Sequence, residues 1–194
     1  NAYGPTFGTI AGSNAVADRW IELIAGAQKS IQIASGHLRS RPISEALIAK
    51  ALNHPGIEIQ VYLDGQEYIS DYWHSVQKQN LALCLTEAGN SESKAQSCMD
   101  KGFLFGYSLE LAGIDVRYKY YSYRWHYKTA EQMHHKYMLV DGTRLVTGSY
   151  NLSDNAEHQT MENIVILDEA DMPHILSAFH HNFINIWETG RLGN

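Results

Sequence analysis

His134-His135-Lys136-Tyr137-Met138-Leu139-Val140-Asp141, continued by Gly148-Ser149-Tyr150-Asn151, is the stretch on which the reading of this chain turns. As a pattern it is H-x-K-x4-D-x6-G-S-x-N. Lys136 to Val140 and Leu145 to Ser149 predict two strands joined by a turn at Asp141-Gly142-Thr143. Residues two apart on a strand leave the same face, so His134 stands beside Lys136, and Ser149 and Asn151 repeat that relation after the turn. An imidazole attacks phosphorus, an ammonium neutralises phosphate charge, and a hydroxyl and a carboxamide hold the remaining oxygens. These are the groups that phosphodiester chemistry without a metal requires. At ordinary residue usage the six fixed positions coincide by chance in about one chain in 10^5, so the pattern carries the signal and no single residue does.

Outward from the hairpin, the chain reads as strands alternating with helices. Ser13 is a predicted N-cap for a helix carrying Val16, Trp20, Leu23, Ile24 and Ala27 at helical spacing. Residues 30 to 35 read as a buried strand. Pro42 opens a helix whose apolar face holds Ile43, Leu47, Ile48, Ala51 and Leu52, and His54-Pro55-Gly56 ends it. Ile57, Ile59, Val61 and Leu63 alternate as a further strand ending at Asp64-Gly65. Strand, helix, strand implies a parallel pair with a right-handed crossover. Residues 66 to 112 give no clear periodicity and read as containing a polar loop over Gly89 to Lys94. Strand character resumes over 113–118 and returns at 163–167. A last helix opens near Asp171-Met172-Pro173 and packs Ile175, Phe179, Phe183, Ile186 and Trp187. The order fits one α/β domain over 1–194, an α/β/α sandwich on a mixed central sheet.

With 194 residues, 44% hydrophobic and 19% charged, the composition is that of a folded globular chain. No apolar run approaches the roughly 18 residues that span a bilayer, so membrane contact is expected to be peripheral. A net charge of -6 argues against a dedicated nucleic-acid binder, which carries a basic surface. Cys84 and Cys98 lie 14 apart in a Ser-rich stretch. They read either as a disulfide stapling a loop in an oxidising compartment or as two free thiols. The first reading and the absence of an initial methionine suggest a secreted or periplasmic protein, with the cytoplasm left open.

The motif resembles the HKD motif of the phospholipase D superfamily, and Glu162-Asn163 resembles the acidic residue that follows it there. Ser30-Ile31-Gln32-Ile33-Ala34-Ser35 and Arg41-Pro42-Ile43-Ser44-Glu45-Ala46-Leu47 are similar to the strand and helix opening one superfamily module. The likeness covers most of residues 13 to 188 and is weakest over 66 to 112. It implies that His134 is the nucleophile, through a phosphohistidine, with no cofactor. Lys136, Ser149 and Asn151 are then the phosphate ligands, and Glu162 holds an imidazole in one tautomer. Asp141 belongs to the catalytic motif by pattern, but its place at the turn predicts a structural role. The leaving alkoxide needs a proton, and in this superfamily a second HKD histidine gives it. One motif therefore implies a homodimer with a composite site, or one half of a longer protein. A proton from His37 or His126 of the same chain is the less favoured arrangement.

Two further segments bear on the substrate. Tyr118 to Lys128 interleaves six aromatics with three basic residues, suited to stacking bases, to a lipid headgroup interface, or to packing on the domain's own surface. Asp154-Asn155-Ala156-Glu157-His158 is expected to line one wall of the pocket, its acidity repelling a polyanion. His134-His135 and His180-His181 could suggest a metal, but adjacent strand residues point to opposite faces, so no metal site is expected. The favoured reading is phospholipase D-type hydrolysis of a phospholipid or related phosphodiester. Cleavage of DNA or RNA by the same chemistry is the alternative, and a non-catalytic binding module is the alternative of another class.

Overall fold

A computed structural model describes residues 14–68, 71–119 and 132–192. Helix α1 (Ala15–Gly26) leads into strand β1 (Ser30–Ser35), the two-residue β2 (Leu38–Arg39) and helix α2 (Arg41–Asn53). Strand β3 (Glu58–Leu63) and a 3-10 turn (Gly65–Glu67) precede three helices, α3 (Asp71–Ala88), α4 (Glu92–Gly102) and α5 (Phe105–Leu111). Then come β4 (Asp115–Lys119), β5 (Lys136–Val140), β6 (Arg144–Gly148) and β7 (Leu152–Ser153). Helix α6 (Asp154–His158), β8 (Ile164–Asp168), α7 (Pro173–Thr189) and β9 (Gly190–Leu192) complete the order. The main sheet has seven strands in the order β8-β6-β5-β1-β3-β4-β9, and β2 pairs with β7 beside it. β1, β3 and β4 run parallel, while β5, β6, β8 and β9 enter antiparallel to their neighbours, so the sheet is mixed as expected.

Both faces are covered, and the strand sequences show it. All five residues of β5 are buried. Met138 and Val140 join the core built with α1 and α2 around Trp20, Ile24, Ile43 and Leu47. Tyr137 and Leu139 join the core under α7, with Leu176, Phe183 and Trp187. A strand covered on both faces reads as a continuous apolar run, which is why Tyr137 to Val140 does not alternate. On α7 it is Leu176 that turns inward, whereas Ile175 is 40% exposed, so the predicted face is rotated by one residue at its start. Leu52, assigned to the buried face of α2, is exposed. Asn14 stands at the N-cap position of α1, and Ser13 lies outside the described residues.

The largest departure from expectation is in 66–112. The stretch expected to hold a polar loop is two packed helices, α3 and α4, around a tight turn. Gly89 closes α3 in the left-handed region, φ +53°, a conformation glycine enters at no steric cost. Cys84 and Cys98 are joined, one from each helix with Cα atoms 5.7 Å apart. The helices were hidden because α3 leaves Tyr72, Trp73 and Leu83 exposed and so shows no apolar stripe. Among the described residues no helix is long and apolar enough to cross a membrane.

The turn of the β5–β6 hairpin fixes this sheet to the start of β1. Asp141 and Gly142 both hold positive φ, 56° and 70°, as the Asp-Gly turn signature demands. The Asp141 carboxylate accepts the backbone N–H groups of Gln28 at 2.9 Å, Lys29 at 2.7 Å and Ser30 at 2.9 Å. Partial desolvation pushes this carboxyl up, but the three N–H bonds and the Lys29 charge prevail and hold it below its ordinary 3.8. A carboxyl so depressed stabilises the fold above that ordinary value, and the contribution drains away as pH falls through the lower folded value. Asp141→Asn keeps a residue that tolerates the left-handed turn and removes the charge. It should cost about 1–3 kcal/mol at neutral pH and flatten the acid limb of stability against pH, read by urea unfolding between pH 7 and pH 3.

Candidate active site

The carboxyl ends of β1, β3 and β4 lie at one edge of the sheet, where open α/β folds bind ligands. Register brings the motif to that edge. Ser35, the last residue of β1, lies opposite Lys136, the first of β5, and Gly148, the last of β6, lies opposite Ile164, the first of β8. His134, Lys136, Ser149, Asn151 and Glu162 therefore gather within a few residues of the same edge. Asp141 does not. It closes the other end of β5, five residues from Lys136 and roughly 16 Å away at the rise of a strand.

The backbone around His134 is held from several sides. The Met133 N–H donates to Asp64 Oδ2 at 2.7 Å, and Asp64, 3% exposed, also accepts the Gln66 N–H. The Gly36 N–H donates to the His135 carbonyl at 3.2 Å. Lys136 Nζ donates to the His134 carbonyl at 3.0 Å, and Thr147 Oγ1 to the Lys136 carbonyl at 3.1 Å. Gly36 permits the closest of these approaches, because a Cβ there would run into the Met133 carbonyl oxygen. Gly148 does the same for β8: a Cβ would collide with the Asn163 carbonyl, whose oxygen accepts the Ser149 N–H at 3.1 Å. Ser149 Oγ in turn accepts the Asn163 N–H at 3.1 Å, which leaves the hydroxyl proton for another acceptor.

His134 and His135 are exposed, and Lys136 is 9% exposed. Burial presses the Lys136 ammonium below its ordinary value, against the opposing pull of the Glu162 carboxylate. His135 is lowered first by burial and then by the charges of Lys136 and His134. The Lys136 ammonium is thus the cation of this edge, with the Glu162 carboxylate opposing it. Glu162 accepts from Thr160 Oγ1 at 2.7 Å, and among the described residues its carboxylate makes no hydrogen bond to an imidazole.

Other expected surfaces are placed differently. Asp154 to His158 is not a loop but helix α6, capped by Ser153 Oγ accepting from the Ala156 N–H. Glu157, 4% exposed, accepts the Val16 and Ala17 N–H groups, each at 3.1 Å, and so caps α1. Asp154, Glu157 and His158 all line a cleft of about 180 Å³ shared with Arg39, Arg41 and Tyr150. Burial first, and then the Glu157 charge, push the Tyr150 phenol well above the usual tyrosine range. Tyr118 and Lys119, at the head of the aromatic segment, are buried, Tyr118 OH donating to Glu110 at 2.8 Å. Tyr120 to Lys128, including His126, lie outside the described residues. His180 and His181 sit on helix α7 and have separate partners, Gln32 Oε1 and the Ser177 carbonyl, so helical splay separates them, not strand alternation.

Sequence reasoning missed Asp64, Arg39 and Glu67 and passed over His37. Arg39 Nη2 donates to Glu67 at 2.7 Å, and His37 Nδ1 lies 3.2 Å from the same oxygen. The signal available was position: His37 follows β1 and Asp64 follows β3, both at the carboxyl ends of parallel strands.

A mixed sheet sandwiched between helices, with one HKD-type edge, defines the phospholipase D-like class. The chain belongs to that family: the model described as "Cardiolipin synthase, PLD-like domain" matches residues 20–187. It is similar to the mitochondrial cardiolipin hydrolase of Danio rerio, 36% identical over 87 residues, which are 45% of this chain and 34% of that protein. The Homo sapiens mitochondrial cardiolipin hydrolase is 34% identical over 80 residues, 41% of this chain and 27% of that one. The chain thus spans about a third of the length of these relatives. Its fold is similar to the phospholipase D family member Nuc from Salmonella typhimurium, TM-score 0.61 at 19% identity, covering 94% of this chain and 93% of that one. NucT from Helicobacter pylori follows at TM-score 0.57 and 18% identity, covering 89% and 87%.

Because the Met133 carbonyl fills the place of a Gly36 side chain, Gly36→Ala must displace the backbone entering His134. Overpacking of this kind costs about 1–3 kcal/mol, or roughly 2–10 °C in Tm for a chain of this size. Turnover should fall more than tenfold as well. Gly56→Ala, with open space around the new Cβ, should leave Tm and turnover unchanged in the same thermal melts and assays.

Proposed function

We propose that the chain is a metal-independent phosphodiesterase of the phospholipase D type that works through a phosphohistidine at His134. The observation that carries this reading is the convergence of His134, Lys136, Ser149, Asn151 and Glu162 at one sheet edge, with the backbone around His134 held rigidly. In the first step a ring nitrogen of His134 attacks phosphorus and the P–O bond to the leaving group breaks. The departing oxygen takes up a proton. In the second step a water oxygen attacks phosphorus, the P–N bond breaks, and the water proton passes to a base. Lys136, Ser149 and Asn151 stabilise the charge on the non-bridging oxygens; each such donor is worth roughly 10²–10³ in rate. Lys136 keeps two protons for this after its bond to the His134 carbonyl. Glu162 balances the positive charge that His134 acquires on attack.

The leaving-group proton has two available sources. One is a second copy of the chain, His134 of each facing the other across a two-fold axis in a homodimer with a composite site, which the single motif supports. The other is a second motif in a longer protein of which this chain is one half, and an acid within the chain is the less favoured arrangement.

For the substrate, a phospholipid or related phosphodiester is the favoured class. The matched relatives are named as cardiolipin hydrolases, and the net charge of -6 opposes salt-driven binding of a polyanion. Cleavage of DNA or RNA is the second reading, favoured by the Lys136 ammonium at this edge. The acidity of Asp154 to His158 carries less weight against it than the sequence suggests, since Glu157 is bound to α1.

Turnover of bis(p-nitrophenyl) phosphate in excess EDTA tests the chemistry. Wild type should remain active, and His134→Asn should lose activity by more than 10³-fold with its melting temperature unchanged. Loss of the wild-type activity in EDTA, or survival of the variant's, rejects the mechanism. Titration against anionic vesicles and against duplex DNA tests the substrate class: vesicle binding without DNA binding is expected, and salt-sensitive DNA binding alone transfers the reading to nucleic acid.

A further inference from the structure

In the main sheet β1 lies between β5 and β3, so β5 and β3 stand two strand spacings apart, about 10 Å. Asp64 directly follows the last residue of β3, and Met133 comes shortly before the first residue of β5. Yet Asp64 Oδ2 accepts the Met133 N–H at 2.7 Å. The segment that carries His134 therefore does not run on in line with β5. It leans across the end of β1 toward β3. Gly36, directly after β1, gives it room, since a Cβ there would meet the Met133 carbonyl oxygen.

Asp64 is suited to this task in a way that its amide analogue is not. Its two oxygens serve different segments: Oδ2 holds Met133, while Oδ1 accepts the Gln66 N–H of the 3-10 turn at 2.9 Å. A carboxylate accepts at both oxygens, whereas a carboxamide accepts at one and presents N–H donors in place of the other. The Asp64 carbonyl also accepts the Glu67 N–H at 3.0 Å, so the side chain projects from a closed turn. Of the hydrogen bonds described at residues 133–135, only the one to Asp64 comes from outside the β1–β5 pair. The His134 carbonyl accepts from Lys136 and the His135 carbonyl from Gly36. The Met133 side chain, 6% exposed, is packed in the core under α7, which resists rotation of the same residue.

We propose that Asp64 is a positioning residue for the reaction: it sets the direction from which the backbone enters His134 and so aims the imidazole at phosphorus. The proposal rests on the phosphohistidine reading above. Asp64 acts through Met133 and not on the substrate, because its oxygens are taken up by backbone N–H groups. Its effect falls on the rate of attack, while binding of the ester falls to Lys136, Ser149 and Asn151. A nucleophile misplaced by about 1 Å loses roughly 10²-fold in rate.

First-turnover release from bis(p-nitrophenyl) phosphate, with enzyme in excess and its concentration varied, separates the rate constant of attack from the half-saturating concentration. Asp64→Ala should lower the rate constant roughly 10²-fold, and Asp64→Asn, which keeps one of the two bonds, about tenfold. Half-saturation should stay within about threefold of wild type in both. Ile24→Ala serves as the stability control. Ile24 is 1% exposed in the core near the end of α1, at the edge where β1 begins and away from the site. It should lower Tm at least as far as Asp64→Asn does, yet keep the wild-type rate constant per folded molecule well below every melting temperature. A fall in Asp64→Asn no greater than in Ile24→Ala would reduce Asp64 to a structural role and overturn the proposal, as would a loss confined to half-saturation. Release that persists in His134→Asn would instead overturn the phosphohistidine reading beneath it. Should Asp64→Ala fail to fold, Asp64→Asn carries the test alone.

Discussion

The antiparallel pairing of β1 with β5 is the contact on which the rest of the molecule depends. It joins the amino-terminal strand to a hairpin more than a hundred residues later, and both of its ends are pinned. At one end the Asp141 carboxylate gathers the N–H groups of Gln28, Lys29 and Ser30. At the other, Gly36 donates to His135 and a missing side chain lets the Met133 carbonyl come in. A slip of one residue would carry Met138 and Val140 from the α1–α2 core to the α7 side and turn Lys136 away from its face. Asp141 thus acts on the chemistry from the far end of the strand. It fixes the register that determines which residues face each other at the edge.

The same logic explains what the sequence could and could not reveal. The hairpin, β1, β3, α2 and α7 were legible because their signals are local: apolar runs, an Asp-Gly turn, a proline at a helix start. The α3–α4 pair was not, since its two helices pack chiefly on each other and carry a disulfide where an apolar stripe would show. The role of Glu157 was beyond reach too. Its partners, Val16 and Ala17, are 141 and 140 residues away, and an acidic residue in a polar segment reads as solvent-facing. Of the site, the motif residues could be named from their spacing. Asp64 and Glu67 could not, because they follow the end of a parallel strand and owe their place to sheet order, which spacing does not encode.

Charge is where the difference matters most for function. A formal charge of -6 suggests a surface that repels polyanions. Yet Asp64, Glu67, Asp141 and Glu157 are each bound within the fold, to the backbone N–H of Met133, to Arg39, to the start of β1 and to the start of α1. Carboxylates held by oriented N–H groups project little field outward, so the whole-chain charge overstates the negative potential at the catalytic edge. On the proposed reading, what faces a phosphate there is His134 and Lys136 against Glu162, and the wider surface decides only which molecule brings it.

A superfamily site formed by two copies of one motif is symmetric: nucleophile and acid are the same residue in different chains. This chain presents one half of such a site, with His134 exposed at the sheet edge beside a lysine that burial has made less basic. On the proposed reading a second motif supplies the proton for the leaving group, and the β1–β5 register, pinned at Asp141, decides how the first half is presented to it.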